Sequence, residues 1–319
     1  MKARPFFYNR GHVLTQILGN KKITIILFLL LLSLVVLAGL TGKVSANLLI
    51  MFALPLAVNL LCCIYEHTKR IKLWNVKRAG FVLFHIGFLI VITGGMITYL
   101  TYSIGYIEIA EGNGFSDRSE NYSGWKQRFG TRRGTGIEIF VKKIHMTFWE
   151  NGQLREYYNN IVIKDGTRVQ EATARVNGSV GYGGLLINLA RFYGLAPYFT
   201  LTAPEIMRSG YVYIGSTTKT NNFVIPAVQY KAQVSYNDLA DKKVRVQIYL
   251  DKTRTIEKTM RIGDSIPLGD AQLTLSNLTI WNGLTVVSDY GRWITYSGFG
   301  LFLMGLAAYY WERFYRGKE

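Results

Sequence analysis

Four long apolar runs bracket the chain, three near its start and one near its end. They occupy residues 23–42, 46–65, 79–100 and 293–311. Each comes close to the roughly 20 residues that an α-helix needs to cross the hydrocarbon of a bilayer. The pattern therefore predicts four transmembrane helices, with the long segment 101–290 between the third and the fourth.

Within that segment, apolar and polar residues alternate with the period of a β-strand. Two alternating stretches in 136–166 meet at Asn151-Gly152, a dipeptide typical of a two-residue hairpin turn. Asp165-Gly166 offers a second turn of the same kind. We therefore expect antiparallel strands joined by tight turns.

Residues 242–251 and 271–283 repeat the alternation, and its slip at Lys142-Lys143 predicts a β-bulge. The run 183–194 does not alternate, and it predicts a short helix or a docking segment. The expected fold is thus a membrane protein with four transmembrane α-helices and a large antiparallel β-rich domain, built as a sandwich or an open barrel.

The net charge of +17 accompanies a composition that is 49% hydrophobic, and membrane proteins combine the two by placing Lys and Arg in cytoplasmic loops. The middle segment 101–290 holds 22 basic and 17 acidic residues, so most of the basic excess flanks the apolar runs. The charge therefore indicates topology, and we expect no nucleic-acid partner.

Basic residues cluster before the first run, between the second and third, and after the fourth, which predicts that these segments are cytoplasmic. The β-rich domain is then extracytoplasmic in a multi-pass protein of the cytoplasmic membrane. The predicted organisation is a basic N-terminus (1–22), three transmembrane helices (23–100) with a cytoplasmic loop (66–78), the β-rich domain (101–290), a fourth helix (291–312) and a cytoplasmic tail (313–319).

A competing interpretation treats residues 1–46 as a secretory signal that ends in Val44-Ser45-Ala46. Its apolar region, near 20 residues, exceeds the roughly 7–15 residues of a signal peptide, and a second span follows at once. Cleavage there leaves three spans.

Cysteine is scarce. Cys62 and Cys63 are adjacent at the predicted cytoplasmic end of the second span, and the β-rich domain has no cysteine. The chain therefore carries neither a C-x-x-C-H motif for covalent haem nor a Cys/His zinc motif. The two thiols are interpreted as small buried apolar side chains.

His85 lies inside the third run, about six residues or roughly 9 Å from its cytoplasmic end. An imidazole at that depth needs a hydrogen-bond partner, a proton path or a metal. Phe81, Phe84 and Phe88 lie three or four residues from it, on the same helix face. This arrangement suits a flat apolar macrocycle held by an axial histidine.

The alternative is that His85 bonds a neighbouring helix through Asn59 or a backbone carbonyl, while the phenylalanines face lipid. None of the other predicted spans contains a histidine. A bis-histidine haem therefore needs its second ligand from another chain, which disfavours a self-contained di-haem cytochrome b.

The order of these segments resembles the ResB-like (CcsB) family of system II cytochrome c biogenesis. Five stretches carry the resemblance: LAVNLLCC (56–63), FHIGFLIVITGGMIT (84–98), GYIEIAEG (105–112), ARVNGSVGYGGLLINLARFYGLAP (174–197) and VVSDYGRWITYSGFGLFLMGL (286–306).

The resemblance implies haem transport and haem attachment to apocytochrome c by a complex of this chain with a polytopic ResC/CcsA-type haem-handling protein. A thiol–disulfide oxidoreductase is a further expected partner. His85 matches the family's transmembrane histidine, so the implied site is a haem b shared with the partner subunit, ligated by His85 and flanked by Phe81, Phe84 and Phe88. No catalytic side chain is expected, because the chain is a component of a synthase rather than a stand-alone enzyme.

Two other classes stay open: a haem-containing electron-transfer subunit, and a membrane-anchored assembly scaffold without haem. For two remaining polar residues a structural role is expected. His145 falls on a predicted strand, and Asp289 precedes the last helix as a candidate N-cap.

Overall fold

A computed structural model describes residues 15, 17–41, 45–69, 75–127, 134–151, 153–225, 230–250 and 253–316. Several predicted features lie wholly or partly outside these residues: most of the basic N-terminus, Val44 of the alternative cleavage site, residues 70–74 of the 66–78 loop, Gly152 of the first turn and residues 317–319 of the tail. The chain forms two compact units, a helical unit (Met1–Tyr102 with Asp289–Glu319) and a β unit (Ser103–Ser288).

Among the described residues, the helical unit contains four long helices. They are α1 (Lys21–Thr41), α2 (Ala46–Lys69), α3 (Val76–Thr101) and α4 (Arg292–Arg316). Helices α1 to α3 are long and apolar enough to cross a membrane. Helix α4 has 25 residues, about 37 Å at 1.5 Å per residue, but its aromatic and basic residues lower its hydropathy. Its crossing therefore stays a prediction.

Glycines let α3 and α4 pack with their backbones in contact. They recur every seven residues on both helices, at Gly80, Gly87 and Gly94 of α3 and at Gly291, Gly298 and Gly305 of the α4 segment. A Cβ atom at Gly87 would overlap the backbone of Phe302, and one at Gly305 would overlap that of Phe84. Small residues at such spacing bring membrane helices close enough for backbone packing.

The start of α4 is fixed to α3 by Asp289. Its Oδ1 accepts from the backbone N–H groups of Gly291 at 3.0 Å and Arg292 at 3.1 Å. The Thr98 hydroxyl of α3 donates to the same oxygen at 2.7 Å. The predicted capping role of Asp289 is confirmed, because it accepts from the backbone N–H of Gly291, just before α4, and from that of Arg292, the first residue of α4.

The β unit contains sixteen strands among the described residues, and every pairing in it is antiparallel. The strands are β1 (Ser103–Ala110), β2 (Gly114–Ser116), β3 (Gly124–Gln127), β4 (Glu138–Phe148), β5 (Leu154–Asp165), β6 (Arg168–Arg175), β7 (Ser179–Tyr182), β8 (Leu185–Ala203), β9 (Ile206–Tyr211), β10 (Ile214–Gly215), β11 (Thr220–Val224), β12 (Tyr230–Ser235), β13 (Val244–Leu250), β14 (Thr253–Met260), β15 (Ser265–Leu268) and β16 (Ala271–Ser288). Short 3₁₀ turns cover Ser119–Asn121 and Leu239–Asp241.

In the described part of the β unit, three sheets enclose two large apolar cores, and a smaller cluster surrounds Trp281. An eight-stranded sheet contains β10-β8-β16-β1-β3 with β7, β9 and β15 attached, and the other two sheets are β11-β12-β13-β14 and β2-β4-β5-β6. One core lies between the first and second sheets, around Leu275 and Ile248. The other lies between the first and third, around Val286 and Ile161. The long strands β8 and β16 therefore contribute to both cores.

Several strand predictions are confirmed. Strands β4 and β5 form the predicted hairpin, with a register shift between Val141 and Lys143 at the predicted bulge. Strands β5 and β6 form the second hairpin around Gly166, whose φ is +57°. The two other alternating stretches form β13 and β16.

The short helix predicted as one alternative at 183–194 is wrong, because these residues belong to the loop before β8 and to β8 itself. Strand β8 pairs with β16, and their register shifts between Asn282 and Leu284. The irregularity at residues 190–192 of β8 interrupts the period-two alternation. Without that alternation the local pattern resembles an apolar helix face.

Candidate functional site

The ring of His85 is buried in the helical unit, with 7% of the residue exposed. Its Nδ1 lies 2.7 Å from the carbonyl oxygen of Phe81, one turn earlier in α3. Because a carbonyl oxygen only accepts, Nδ1 carries the hydrogen and donates it. The neutral ring then keeps its lone pair on Nε2, and the backbone bond fixes both tautomer and orientation.

That Nε2 atom points toward α2. It lies 4.0 Å from the Sγ of Cys63, which is half-buried. Asn59, the predicted alternative partner, instead accepts from the Thr24 hydroxyl at 2.6 Å and donates to the carbonyl of Leu18. The side chain of Asn59 thus bonds Thr24 and Leu18, and the carbonyl that His85 bonds belongs to its own helix. Among the described residues, neither group named in the alternative interpretation joins His85 to a neighbouring helix.

The three phenylalanines of the predicted flank separate into two groups. The ring centroids of Phe81 and Phe84 lie 4.0 Å and 4.9 Å from that of His85. Phe88 contacts Phe28 at 5.8 Å and Phe302 at 6.0 Å, and makes no ring contact with His85 in the described part of the chain. Phe81 and Phe84 therefore line the imidazole, whereas Phe88 packs three helices together.

A second histidine approaches the same ring. Helix α2 continues to Lys69 and includes His67, so the prediction that no other span contains a histidine is wrong. The centroid of His67 lies 4.0 Å from that of Phe81, which thus contacts both imidazoles. Sequence analysis missed His67 because the apolar run ends before Glu66. His67 follows Cys63 by four residues, and this spacing indicates that both side chains lie on the same face of a helix.

A cavity of about 810 Å³ opens beside these residues. Ligand sites commonly have volumes of about 300–1,000 Å³. His85 does not line the cavity itself, but Cys63 and Phe81, which touch its ring, do. The lining residues are Gly19, Lys21, Cys63, Glu66, His67, Asn75, Lys77, Arg78, Phe81 and Tyr309.

The cavity is cationic on balance. Lys21, Lys77 and Arg78 line it together with one carboxylate, Glu66, which accepts from the Thr15 hydroxyl at 2.7 Å. Aromatic rings and basic side chains in one cavity suit a flat apolar molecule that carries acidic groups. Within the described ranges, no group of three or more His, Cys, Asp or Glu side chains is arranged to hold a bare metal ion.

His145, the other described histidine, lies in the β unit. Its ring stacks on Tyr158 at a centroid distance of 4.5 Å, and its Nε2 lies 3.3 Å from the amide nitrogen of Asn160. Both neighbours are on the adjacent strand β5. These are cross-strand contacts of the kind that stabilise a sheet.

The two units define a class of protein: apolar helices with a buried imidazole, joined to an antiparallel β unit. A model of the ResB-like family matches residues 75–314, and the chain belongs to that family. The family resemblance predicted from the sequence is thereby confirmed. The matched range contains His85 and Glu108, whereas Cys63 and His67 precede it.

A curated relative carries the name cytochrome c biogenesis protein CcsB, from Picosynechococcus sp.. It is 21% identical over 266 residues, covering 76% of this chain and 55% of that protein. The chain therefore spans about half the length of this relative.

Proposed function

We propose that the chain acts in cytochrome c biogenesis as a haem-handling subunit, with His85 as an axial ligand of haem b. The observation that carries this proposal is the ring geometry of His85. Its Nδ1 donates a hydrogen bond to the Phe81 carbonyl. This leaves the lone pair of Nε2 to bind iron, beside a cavity of the size of a ligand site. Family membership and the name of the curated relative support the biological setting.

The residues around His85 fit haem in two respects. Phe81 and Phe84 present aromatic surfaces to a macrocycle. Lys77 and Arg78 line the cavity, where their charges suit the two propionates. Because Cys63 stands in front of Nε2, ligation requires its side chain to turn away.

In this proposal the chain binds and orients rather than transfers protons. The Phe81 carbonyl holds the imidazole plane and raises its basicity toward iron. Lys77 and Arg78 would pair with the propionates of bound haem and so orient its acidic edge. When bound, haem supplies the vinyl groups that are joined to the thiols of apocytochrome c, and correct positioning contributes much of the rate of such a reaction.

In this proposal a second protein ligand to haem would have to come from the partner subunit. His67 is the nearest imidazole in the described helices, but the ring of Phe81 contacts both histidines and occupies the space between them. A macrocycle ligated by His85 and His67 together would have to displace Phe81. We assign His67 to the cavity lining, where it would contact haem that enters the cavity.

We also propose the predicted topology: both termini cytoplasmic, four spans and the β unit outside. The glycine repeat supports the fourth span, because α4 packs backbone to backbone along α3, a helix that is itself long and apolar enough to cross. The β unit then supports the ResC/CcsA-type partner and receives apocytochrome c, with a thiol–disulfide oxidoreductase keeping its thiols reduced.

The haem content of the purified protein tests this proposal. The chain is expressed alone and with the ResC/CcsA-type protein of its own organism, and bound haem is quantified by its Soret absorbance. We expect haem in the complex, little in the chain alone, and loss of most of it in His85→Ala. The matched control is His145→Ala, which removes an imidazole from the β unit.

The same measurement separates the other classes. Absence of haem from the complex supports the scaffold and contradicts the proposal. Haem that quinol reduces, in a complex that matures no cytochrome c, supports the electron-transfer subunit. A stoichiometric bis-histidine spectrum from the chain purified alone as a monomer contradicts the shared site.

A further inference from the structure

Glu108 is a carboxylate set among aromatic rings on one face of β1. It is half-buried, and within the described part of the chain its side chain makes no hydrogen bond and no ion pair. A partly desolvated charge without a partner is costly, and binding sites commonly retain such groups. The question is which group complements it.

Two small residues, Gly283 and Ala110, lie next to Glu108 on the same face of the sheet. Gly283 of β16 pairs directly with Glu108, and the next pair on this face is Ala110 with Trp281. A Cβ atom at Gly283 would overlap the ring of Tyr106, so that ring lies directly over the glycine. The register thus places an aromatic ring beside the carboxylate, over backbone that carries no side chain.

Three further aromatic residues, Trp281, Tyr213 and Tyr211, pack against one another on the other side of Glu108. Trp281 is buried, and its indole N–H donates to the Ile214 carbonyl at 2.9 Å, which fixes the ring. Tyr213 packs on it at a centroid distance of 5.4 Å, and Tyr211 stacks on Tyr213 at 6.1 Å. These contacts hold the rings in place before any ligand arrives.

The site is open on one side. Phe192 is 62% exposed and meets Tyr106 edge-on at a centroid distance of 6.3 Å. It lies in β8 opposite the register shift between Asn282 and Leu284 of β16. An exposed ring next to fixed ones is typical of a contact surface. We call Glu108, Tyr106, Tyr213, Trp281 and Phe192 the Glu108 site.

The electrostatics agree with this geometry. Burial raises the pKa of Glu108. Burial, followed by the charge of Glu108, raises the pKa of Tyr106 and of Tyr213 to about 12 each. Both phenols are therefore close to the carboxylate, and both stay neutral at physiological pH. The Glu108 site holds one negative charge within neutral aromatic rings.

We propose that the Glu108 site binds a cationic side chain, a guanidinium or an ammonium, presented by a protein partner. A single carboxylate pairs with one positive charge, and aromatic faces attract the same cation. The exposed Phe192 gives the backbone that carries the cation a surface to pack against. This inference concerns the β unit alone and does not depend on haem.

The test uses the full chain in detergent with n-butylguanidinium as the probe and n-butylurea as its neutral analogue. Binding is measured by saturation-transfer difference NMR. We expect saturable binding of the cation only, and an affinity lower by about tenfold or more in Glu108→Gln, since that change removes a charge-assisted bond. The matched control is Glu171→Gln, an exposed carboxylate in the same unit that pairs with Lys142 at 3.1 Å.

Two variants of Tyr213 test the role of the aromatic rings in the Glu108 site. Tyr213→Phe keeps the ring and should retain binding, whereas Tyr213→Leu should weaken it by about threefold or more if the cation lies against the ring face. Equal binding by wild type and Glu108→Gln, or equal binding of cation and urea, overturns the site. Since Glu108→Gln removes a half-buried charge without changing shape, loss of folding is not its expected effect.

The source of the cation is tested with an arginine-containing pentapeptide and its citrulline counterpart. If the cation belongs to a protein partner, the arginine peptide should displace n-butylguanidinium and bind more tightly than it does. Tighter binding of free small cations, such as tetramethylammonium, than of the peptide contradicts a protein partner.

Discussion

The Nε2 of His85 lies 4.0 Å from the Sγ of Cys63, so a thiol on α2 covers the one ring nitrogen that is free to bind a ligand. The other ring nitrogen is committed to the Phe81 carbonyl. A ligand that approached this nitrogen would therefore meet the side chain of Cys63, which also lines the neighbouring cavity.

Replacing His85 by glycine should abolish most haem retention in the complex, and added imidazole should restore it. A free imidazole can refill an axial position, because the glycine leaves the volume of the ring empty. Soret absorbance measures the recovery, and His145→Gly with imidazole is the control. Failure of imidazole to restore haem in a folded, assembled His85→Gly protein shows that His85 is a packing residue.

Cys63→Ala should speed haem association, because it removes the side chain in front of Nε2. If the open arrangement is populated about a tenth of the time, the gain is up to about tenfold. Stopped-flow Soret kinetics measure it, with Cys62→Ala as the control and Cys63→Leu expected to slow association. An equal rate in wild type and Cys63→Ala rules out Cys63 as the barrier.

Lys77→Gln should weaken haem binding by about tenfold or less, since it removes one charge-assisted contact to a propionate. Lys77 lines the cavity with its Nζ 5.7 Å from the centre of the Tyr309 ring. The control is Lys69→Gln, at the end of α2 and not among the cavity residues. Equal loss in both variants indicates a general surface-charge effect instead.

Gly87→Ala should loosen the packing of α3 on α4 and destabilise the helical unit by about 1–3 kcal/mol. A methyl group there meets the backbone of Phe302, which has no free rotation to yield. Gly95→Ala in the same helix meets open space and should be neutral or stabilising, since alanine favours helix. Thermal unfolding in detergent compares the two, and equal stability contradicts close packing at Gly87.

Glu108→Gln should stabilise the β unit at neutral pH. Burial raises the folded-state pKa of this carboxyl above its ordinary value of 4.5, so the folded state binds its proton more tightly than the unfolded state. The wild-type free energy of unfolding therefore falls as pH rises through that range, and the loss persists at pH 7. Thermal melts at pH 4 and pH 7 should show the variant's advantage only at the higher pH.

Much of the fold follows from local pattern. The hairpin at 136–166 was predictable because turn dipeptides and period-two alternation are both read within a few residues. The helix predicted at 183–194 failed because a register irregularity against β16 imitates the spacing of a helix face. Register depends on a partner strand far away in sequence, so local pattern does not contain it.

Some residues of the candidate site were likewise predictable from local pattern, and others were not. His85 was predictable because an imidazole within an apolar run is conspicuous, and Phe81 and Phe84 follow from helical spacing. His67 was missed because the charged end of α2 looks like a loop. The glycine repeat is visible in the sequence at seven-residue spacing, but its packing partner is not.

The sequence by itself determined the number of long helices, the β character of the segment between the third and the fourth, and the N-cap at Asp289. Each depends on length, period or a neighbour within three residues, and these are local properties of a chain. Only the tertiary structure decided that Cys63 covers His85 and that Tyr106 lies over Gly283 beside Glu108. Those relationships require the rotation of one helix against another and the register of strands far apart in sequence, which long-range packing alone determines.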